Sequence, residues 1–210
     1  SFDGSMEIII VLPAEHHALW KRLCAEHFFS VSHRVVAGGE ERFHSVKAGL
    51  EAITASAGMA SGTGSGKDNP GKLPEALPQA GSDSLVAIHD GVRPLVSHDT
   101  IWRCFADAEE FGNAVPFIEP ADSVRVLAGD DSRPVARTEV RLIQTPQVFR
   151  GSVIMKAYGR EYDPAFTDDA TVAEASGVKI HLTHGNRENI KITTPEDLAV
   201  AATLAGMLRQ

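Results

Sequence analysis

Short apolar runs alternate with helical segments along most of this chain. The runs "EIIIVLP" at 7–13 and "NAVPFIEP" at 113–120 have the length and composition of buried strands. Segments 41–53 and 97–111 instead repeat their apolar residues with helical spacing. Because helices that alternate with strands pack onto a sheet of parallel strands, we expect an α/β fold with a mostly parallel sheet. The same pattern predicts a single domain over residues 1–210.

The composition limits the partners and the compartment of the protein. The chain has 20 Lys plus Arg, 28 Asp plus Glu and a net charge of −8, which argues against non-specific binding of nucleic acid or of an anionic membrane. No apolar run reaches membrane-spanning length, and no secretory signal is visible. Cys24 and Cys104 are the only cysteines, so we expect reducing, cytoplasmic surroundings.

Two segments depart from this alternation. Residues 55–84 are rich in Gly, Ser and Pro and predict a flexible surface insertion, because they cannot bury enough apolar area to offset their ordering entropy. A Gly-rich phosphate loop is the alternative, but its "GTGSGKDNPGK" has no strand before it and no helix after it.

Residues 121–143 contain extended pieces around 122–127 and 135–143, joined by a Gly-Asp-Asp turn. We expect a β-hairpin arm that protrudes toward a partner.

The stretch "IHDGVRP" at 88–94 places a carboxylate and a guanidinium where a predicted strand ends. In α/β sheets, ligands bind at the carboxyl ends of the strands. Asp90 could hold Mg²⁺ there, and Arg93 is suited to bidentate phosphate contact. A turn in which Arg93 simply pairs with Asp90 explains the same residues. His89 beside Asp90 also suggests a metal-phosphohydrolase, but the other histidines do not supply further ligands at suitable spacing.

Two polar clusters lie at the ends of other predicted elements. "GGEERFHS" at 38–45 has glycines that let the backbone approach a ligand, with Glu40 and Ser45 in reach of a ribose or a base. An ordinary helix start with surface charge is the alternative for this segment. "QTPQ", within the segment 136–149, is a turn with little reason to be so polar in a core.

Two further clusters offer charge or a helix N-terminus. "FTDD" at 166–169 could accept an anion at a helix N-terminus, or Thr167 could simply cap that helix. Lys191 lies between two isoleucines in an extended run. If its side chain points inward it needs an anion; otherwise it lies solvated on an edge strand.

Together, the blocks "HDGVRP", "QTPQVF", "TDDA" and "NRENIKITTPEDL", in this order and spacing, resemble the 2-C-methyl-D-erythritol 4-phosphate cytidylyltransferase family. The resemblance covers about 7–54 and 84–208. It implies a Rossmann-like nucleotidyltransferase fold and a homodimer formed through the β-arm. It also implies an enzyme of non-mevalonate isoprenoid biosynthesis that uses Mg²⁺ to transfer CMP from CTP to the methylerythritol phosphate and releases pyrophosphate.

The resemblance further implies the roles of individual residues. Arg137 and Lys191 match the catalytic pair that holds the attacking phosphate, and Asp90 matches the metal-binding and substrate-binding carboxylate. In the family, residues of the arm act across the dimer, so Arg137 and Thr167 are expected at the neighbouring subunit's site. The other implied substrate-binding residues are Arg93, Thr145, Gly39, Glu40, Ser45 and Gly91.

This sequence departs from the family pattern at several points. No first strand and no Gly-rich loop with its Arg and Lys precede Ser1, so we expect either a truncated sequence or an inactive protein. Glu40 stands where the family more often has Asp, and the insertion 55–84 is unusual. Two alternatives stay open: a cytidylyltransferase for another alditol phosphate such as ribitol 5-phosphate, and a catalytically inactive dimer module that still binds nucleotide.

Overall fold

The computed structural model describes residues 6–59 and 84–207. Most of the predicted insertion, residues 60–83, lies outside the described residues. No helix of the described residues combines the length and the apolar character that crossing a bilayer requires. The elements are, in chain order, β1 Ile9–Leu12, α1 His17–Glu26, β2 Arg34–Ala37, α2 Arg42–Met59, β3 Leu85–Ile88, α3 His98–Phe111, β4 Asn113–Ile118, β5 Val124–Ala128, β6 Asp131–Val135, β7 Leu142–Ile143, β8 Gln147–Arg150, α4 Gly151–Ala157, α5 Asp169–Glu174, β9 Leu182–His184 and α6 Pro195–Met207.

The main sheet of the described residues is mixed. Its strands follow the order β3–β8–β4–β7, with β9 along β4, whereas β1 and β2 form a separate parallel pair. β9 runs parallel to β4, but β8 runs antiparallel to both β3 and β4, and β7 antiparallel to β4. The expected α/β class holds, but the expectation of a mostly parallel sheet is wrong. The reason is the connection: the chain returns from β6 without a crossover helix, so β7 and β8 enter the sheet in the opposite direction.

Helices cover both faces of the main sheet. Val115 of β4 and Phe149 of β8 are fully buried in a cluster with side chains from α2, α4 and α5. Ala114 and Val148, their neighbours along the same strands, belong to a second cluster with side chains from α3. Because successive residues of a strand point to opposite faces, these pairs show that both faces of β4 and β8 are covered. This double burial explains why the strand sequences are apolar without alternation.

Side chains cap the starts of α3 and α6. The hydroxyl of Ser97 accepts a hydrogen bond from the amide of Thr100 at 3.1 Å and caps α3. At α6, the hydroxyl of Thr194 accepts from the amide of Asp197 at 3.2 Å, and the carboxylate of Asp197 accepts from the amide of Thr194 at 2.9 Å. This reciprocal pairing satisfies amide groups that the first turn of a helix leaves without partners.

The start of α5 differs from the prediction. Asp168 caps this helix, and its carboxylate accepts from the amide of Thr171 at 2.9 Å. The interpretation of Thr167 as the cap is therefore wrong by one residue. Threonine and aspartate are both good caps, so the pair of adjacent candidates could not be resolved from the sequence. Thr167 consequently lies one residue before the cap and two before the first helical residue, Asp169.

The predicted arm is a β-hairpin, but it is shorter than expected. β5 and β6 pair from Val124 with Val135 to Ala128 with Asp131, and the turn passes through Gly129 at φ = +63°. Glycine suits this left-handed backbone conformation. Because β5 begins at Val124, β6 has no partner beyond Val135 and ends there. The next residues form a short 3-10 helix, Arg137–Glu139, before β7 rejoins the main sheet.

Candidate active site

A cavity of about 590 Å³ lies where several loops meet beside the main sheet. These loops follow β3, precede β8, precede α5 and precede α6. Five residues that were predicted as site residues from separate blocks of the sequence line it together: Asp90, Arg93, Thr145, Thr167 and Lys191. The fold thus brings into one place side chains that the sequence holds far apart.

Asp90 lies among three cationic side chains. Its Oδ2 is 3.3 Å from the ammonium of Lys191 and 3.6 Å from Nε of Arg93, and its Oδ1 accepts from Nε of Arg42 at 3.1 Å. Burial by itself would raise the pKa of Asp90, but the charges of Arg42 and Lys191 outweigh it and hold this pKa below the ordinary value of 3.8. The carboxylate therefore stays ionised near neutral pH and draws the three cations together.

Arg42 connects Asp90 to a second carboxylate, and it was not among the residues predicted from the sequence. Its Nη1 and Nη2 donate to the two oxygens of Asp169 at 2.9 and 2.7 Å, and the Asp169 side chain is 0% exposed. The hydroxyl of Tyr158 donates to the same carboxylate at 2.6 Å. Burial by itself would lower the pKa of Arg42. The hydrogen bond and charge of Asp169 and the charge of Asp90 outweigh burial, so this pKa lies above its ordinary value. The sequence gives one sign that Arg42 has acidic partners. It is the first residue of α2, where the helix dipole favours an anion and not a cation.

The loop after β3 is a tight turn that carries Asp90 and Arg93. The amide of Arg93 donates to the carbonyl of Asp90 at 3.0 Å, and a β-carbon added at Gly91 would meet nothing within 4 Å. The sequence offered two interpretations of this loop, a ligand site and a turn in which Arg93 pairs with Asp90. Both apply, because the two paired side chains also line the cavity. The turn fixes the carboxylate and the guanidinium on the same side of the loop.

The position of Lys191 follows from contacts of its backbone neighbours. The guanidinium of Arg93 donates to the carbonyl of Asn189 at 2.8 Å, and the amide of Ile192 donates to the carbonyl of Val92 at 2.9 Å. These bonds hold the segment before α6 against the loop after β3. Lys191 therefore reaches Asp90, although its side chain is 46% exposed. The sequence had left open an inward lysine paired with an anion or a solvated lysine, and the observed side chain is intermediate between the two.

Buried amides explain the polar turn "QTPQ". Nε2 of Gln144 donates to the carbonyl of Asn189 at 3.2 Å. Nε2 of Gln147 donates to the carboxylate of Asp168 at 2.8 Å, and its Oε1 accepts from the amide of Ala170 at 2.8 Å. Both glutamines are almost fully buried, so these bonds reduce the number of unsatisfied polar groups. Oε1 of Gln144 has no hydrogen-bond partner among the described residues. The bonds of the two glutamines join the turn to the segment before α6 and to the start of α5.

The two predicted threonines lie on the same cavity. Thr145 is 4% exposed, and its Oγ1 accepts from the amide of Asp90 at 3.0 Å. Thr167 was expected at the neighbouring subunit's site, but the structure places it at the cavity of its own chain. The reason is the cap of α5: Asp168 takes that role and leaves the preceding residue at the cavity.

Besides Gly91, which adjoins Asp90 in the turn after β3, four predicted residues lie outside the lining of this cavity. Nη1 of Arg137 donates to the carbonyl of Ala121 at 2.7 Å, an exposed bond at the base of the hairpin. Gly39 and Glu40 lie in the turn between β2 and α2, and Ser45 lies in the first turn of α2. The amide of Gly39 donates to the hydroxyl of Ser45 at 3.2 Å. Glu40 is exposed in the same turn. The structure therefore does not gather these residues around Asp90 within one chain.

Comparisons with sequences of known proteins point to one family. The family profile described as "IspD: 2-C-methyl-D-erythritol 4-phosphate cytidylyltransferase" matches residues 72–206. The protein of that name from Bacteroides thetaiotaomicron is 45% identical over 203 residues, which cover 97% of this chain and 80% of that protein. The protein of the same name from Porphyromonas gingivalis is 42% identical over 198 residues, which cover 94% of this chain and 77% of that protein.

Solved structures agree with the sequence comparisons. The 2-C-methyl-D-erythritol 4-phosphate cytidylyltransferase from Thermus thermophilus matches with a TM-score of 0.66 and 29% identity, covering 95% of this chain and 81% of that one. The 4-diphosphocytidyl-2C-methyl-D-erythritol synthase from Anaerococcus prevotii matches with a TM-score of 0.70 and 26% identity, covering 95% and 78% of the two chains. The chain described here therefore belongs to the 2-C-methyl-D-erythritol 4-phosphate cytidylyltransferase family.

Proposed function

We propose that this protein transfers CMP from CTP to 2-C-methyl-D-erythritol 4-phosphate and releases pyrophosphate. The observation that carries this proposal is the convergence of Asp90, Arg93, Lys191 and Thr145 on one cavity. Cationic and hydroxyl side chains in one place suit a substrate that is both a phosphate and a polyol. The sequence relatives that match over nearly the whole chain carry the name of this activity.

The chemistry of the transfer needs positioning more than proton removal. A phosphate oxygen of the polyol phosphate attacks the α-phosphorus of CTP. The bond from this phosphorus to the oxygen that bridges to the β-phosphate breaks, and pyrophosphate leaves with the bonding electrons. A phosphate monoester is largely a dianion near neutral pH, since its second pKa is about 6. The nucleophile is already charged, so the site has to hold two anions together against their repulsion.

Arg93 and Lys191 are suited to hold the attacking phosphate. The guanidinium of Arg93 is fixed by Asp90 and by the carbonyl of Asn189, so it presents a preorganised charge. The ammonium of Lys191 has one carboxylate contact and is 46% exposed, so it can turn toward a bound phosphate. Asp90 keeps both cations at the cavity before the substrate arrives.

Mg²⁺ is the cofactor that we propose. The described residues contain no group of three or more His, Cys, Asp or Glu arranged to hold a metal ion. Mg²⁺ nevertheless commonly binds through one or two carboxylates and completes its shell with substrate phosphates and water. The carboxylate of Asp90, which lines the cavity, fits this mode. When bound, the metal would neutralise charge on the phosphates of the nucleotide.

We further propose a homodimer in which β5 and β6 reach the partner subunit. An isolated two-stranded hairpin is marginally stable in water, and its Leu127 is 80% exposed. Arg137 lies at the base of the hairpin and outside the cavity of its own chain, which supports a role at the partner's cavity. We propose that the turn after β2, with Gly39 and Glu40, and the first turn of α2, with Ser45, contact the cytidine.

We propose a cytoplasmic location, with small phosphorylated molecules as substrates. Cys24 and Cys104 are both free thiols, which suits a reducing compartment. The net charge of −8 disfavours general affinity for polyanions, so the cationic cluster is a local feature that selects small phosphates.

A pyrophosphate-release assay with Mg²⁺ tests the proposal. CTP, UTP and ATP are each paired with 2-C-methyl-D-erythritol 4-phosphate and with ribitol 5-phosphate. We expect release with CTP and the methylerythritol phosphate at a rate at least about tenfold above every other pair, the discrimination that a few polar contacts supply. Preference for ribitol 5-phosphate would reassign the substrate, and binding of CTP without release in any pair would favour an inactive nucleotide-binding module.

A further inference from the structure

A chain of hydrogen bonds runs through the hydroxyl of Thr145. The amide of Asp90 donates to Oγ1 of Thr145 at 3.0 Å. The same Oγ1 is 3.0 Å from Nδ1 of His89, and Nε2 of His89 is 3.0 Å from the carbonyl oxygen of Arg93. A carbonyl oxygen can only accept, so Nε2 must carry a proton. A neutral imidazole has one N–H group, so Nδ1 accepts, and the hydroxyl of Thr145 is its donor.

The carbonyl of Arg93 fixes which nitrogen carries the proton in this neutral form. An imidazole is mostly neutral above the ordinary histidine pKa of about 6.5. Near neutral pH the ring therefore carries its single proton on Nε2. The direction of the Thr145 hydroxyl then follows from geometry.

The hydroxyl of Thr145 has one proton and two lone pairs. The proton is directed to His89 and one lone pair to the amide of Asp90. Thr145 lines the cavity, so what it can offer a bound molecule is its second lone pair. A ligand group at this position has to donate a hydrogen bond. A hydroxyl can do so, whereas the oxygen of a phosphate dianion cannot.

We propose that His89 is a positioning residue that makes Thr145 an acceptor for a hydroxyl of the substrate. Thr145 thereby recognises the polyol part, and the phosphate is left to Arg93 and Lys191. This inference rests on the proposed function, because it divides the same cavity between the two parts of that substrate. It also predicts selectivity: a substrate that lacks the hydrogen of the recognised hydroxyl leaves a buried acceptor without a partner.

The test compares wild type with two substitutions that each imitate one nitrogen of the ring. In His89→Asn, the side-chain carbonyl oxygen stands near the position of Nδ1 and can still accept from Thr145. In His89→Gln, the side-chain amide reaches the position of Nε2 and can still donate to the carbonyl of Arg93, but the acceptor for Thr145 is lost. The substrates are 2-C-methyl-D-erythritol 4-phosphate and its analogues with fluorine in place of the hydroxyl at C1, C2 or C3. Fluorine cannot donate.

We expect wild type to lose about 10- to 100-fold in kcat/KM with one of the fluorinated analogues, the range for one unpaired buried group. His89→Asn should keep this discrimination. His89→Gln should reduce it by about tenfold, because the Thr145 hydroxyl can then turn its proton toward the cavity. In the wild-type background, Thr145→Ser should keep the discrimination and Thr145→Val should abolish it, a second readout if a His89 variant fails to fold.

Equal losses in His89→Asn and His89→Gln with every substrate, without a change in discrimination, would show a purely structural role and overturn the inference. Turnover of the parent substrate without discrimination among the analogues would overturn the inference alone. No turnover of the parent substrate by wild type would overturn the proposed function and this inference with it.

Discussion

The ammonium of Lys191 lies 3.3 Å from Oδ2 of Asp90, although one residue precedes α6 and the other follows β3. The lysine side chain is 46% exposed, and ion pairs of this kind contribute little to stability. The carboxylate also contacts Arg42 and Arg93, and Arg42 pairs with Asp169 as well, so three positive charges meet two negative ones. The excess positive charge beside the cavity is what a phosphorylated substrate requires, and the pair is best explained as preorganisation for binding.

Replacing Arg42 tests the buried part of this network. Arg42→Ala leaves the carboxylate of Asp169, 0% exposed, with Tyr158 as its remaining donor among the contacts described. We expect a loss of about 3 kcal/mol in the free energy of unfolding, measured by urea denaturation, because breaking a buried ion pair leaves a charge without compensation.

Arg22→Ala is the matched control for this variant. Arg22 pairs with Glu26 on the surface of α1, with side chains that are 67% and 54% exposed, and its loss should cost less than about 0.5 kcal/mol. Equal effects of the two substitutions would show that Asp169 does not depend on Arg42 for its charge.

Mixing two inactive variants tests the shared site of the proposed dimer. Arg137→Ala and Asp90→Ala are purified separately, mixed in equal amounts and allowed to exchange subunits. If Arg137 acts at the partner's cavity, half of the dimers are mixed and each contains one intact site, so about a quarter of the wild-type activity should return. Activity no higher than that of the separate variants would place Arg137 at its own chain's site or outside catalysis.

The pH dependence of stability reports on the protonation of His89. Its pKa is lowered in the folded protein from the ordinary 6.5, so below that pH the unfolded chain binds a proton that the folded chain does not. Stability from this group is therefore complete above pH 6.5 and falls as the pH drops below it, by at most about 1.4 kcal/mol per pH unit.

His89→Asn lacks the titrating group and is the comparison for this measurement. Between pH 7.5 and pH 5.5, wild type should lose more of its free energy of unfolding than the variant, measured by urea denaturation. Other titrating groups are common to both proteins and cancel in the difference. Equal losses would mean that His89 titrates alike in the folded and unfolded states.

The sequence predicted the helices and strands better than the arrangement of the sheet. Apolar runs such as 113–118 identify a buried strand, because both of its faces must be covered. Such runs do not indicate whether the strand is parallel or antiparallel to its neighbours. β8 is antiparallel to β3 and β4 because of how the chain returns after the hairpin, and this depends on contacts between distant segments rather than on local pattern.

The candidate site was predicted where a residue type stands out at the end of an element, and missed where the partner is distant. Asp90 and Arg93 close a strand, and Lys191 interrupts an apolar run, so each could be noticed by itself. The bond between Arg42 and Asp169 spans 127 positions, and each residue alone resembles an ordinary charge at the start of a helix. Only the fold shows that these two charges are in contact and that the carboxylate is buried.

Turnover of Lys191→Ala is the most direct test of the account, because it asks whether the cation beside Asp90 serves the reaction. With CTP, 2-C-methyl-D-erythritol 4-phosphate and Mg²⁺, we expect kcat to fall by about 10² to 10³ relative to wild type, the effect of removing one group that stabilises charge in a transition state. Its melting temperature should stay close to that of wild type, and Lys21→Ala, which removes an exposed lysine of α1, should keep the wild-type rate. A folded Lys191→Ala protein with the wild-type rate would contradict the account and place the chemistry elsewhere.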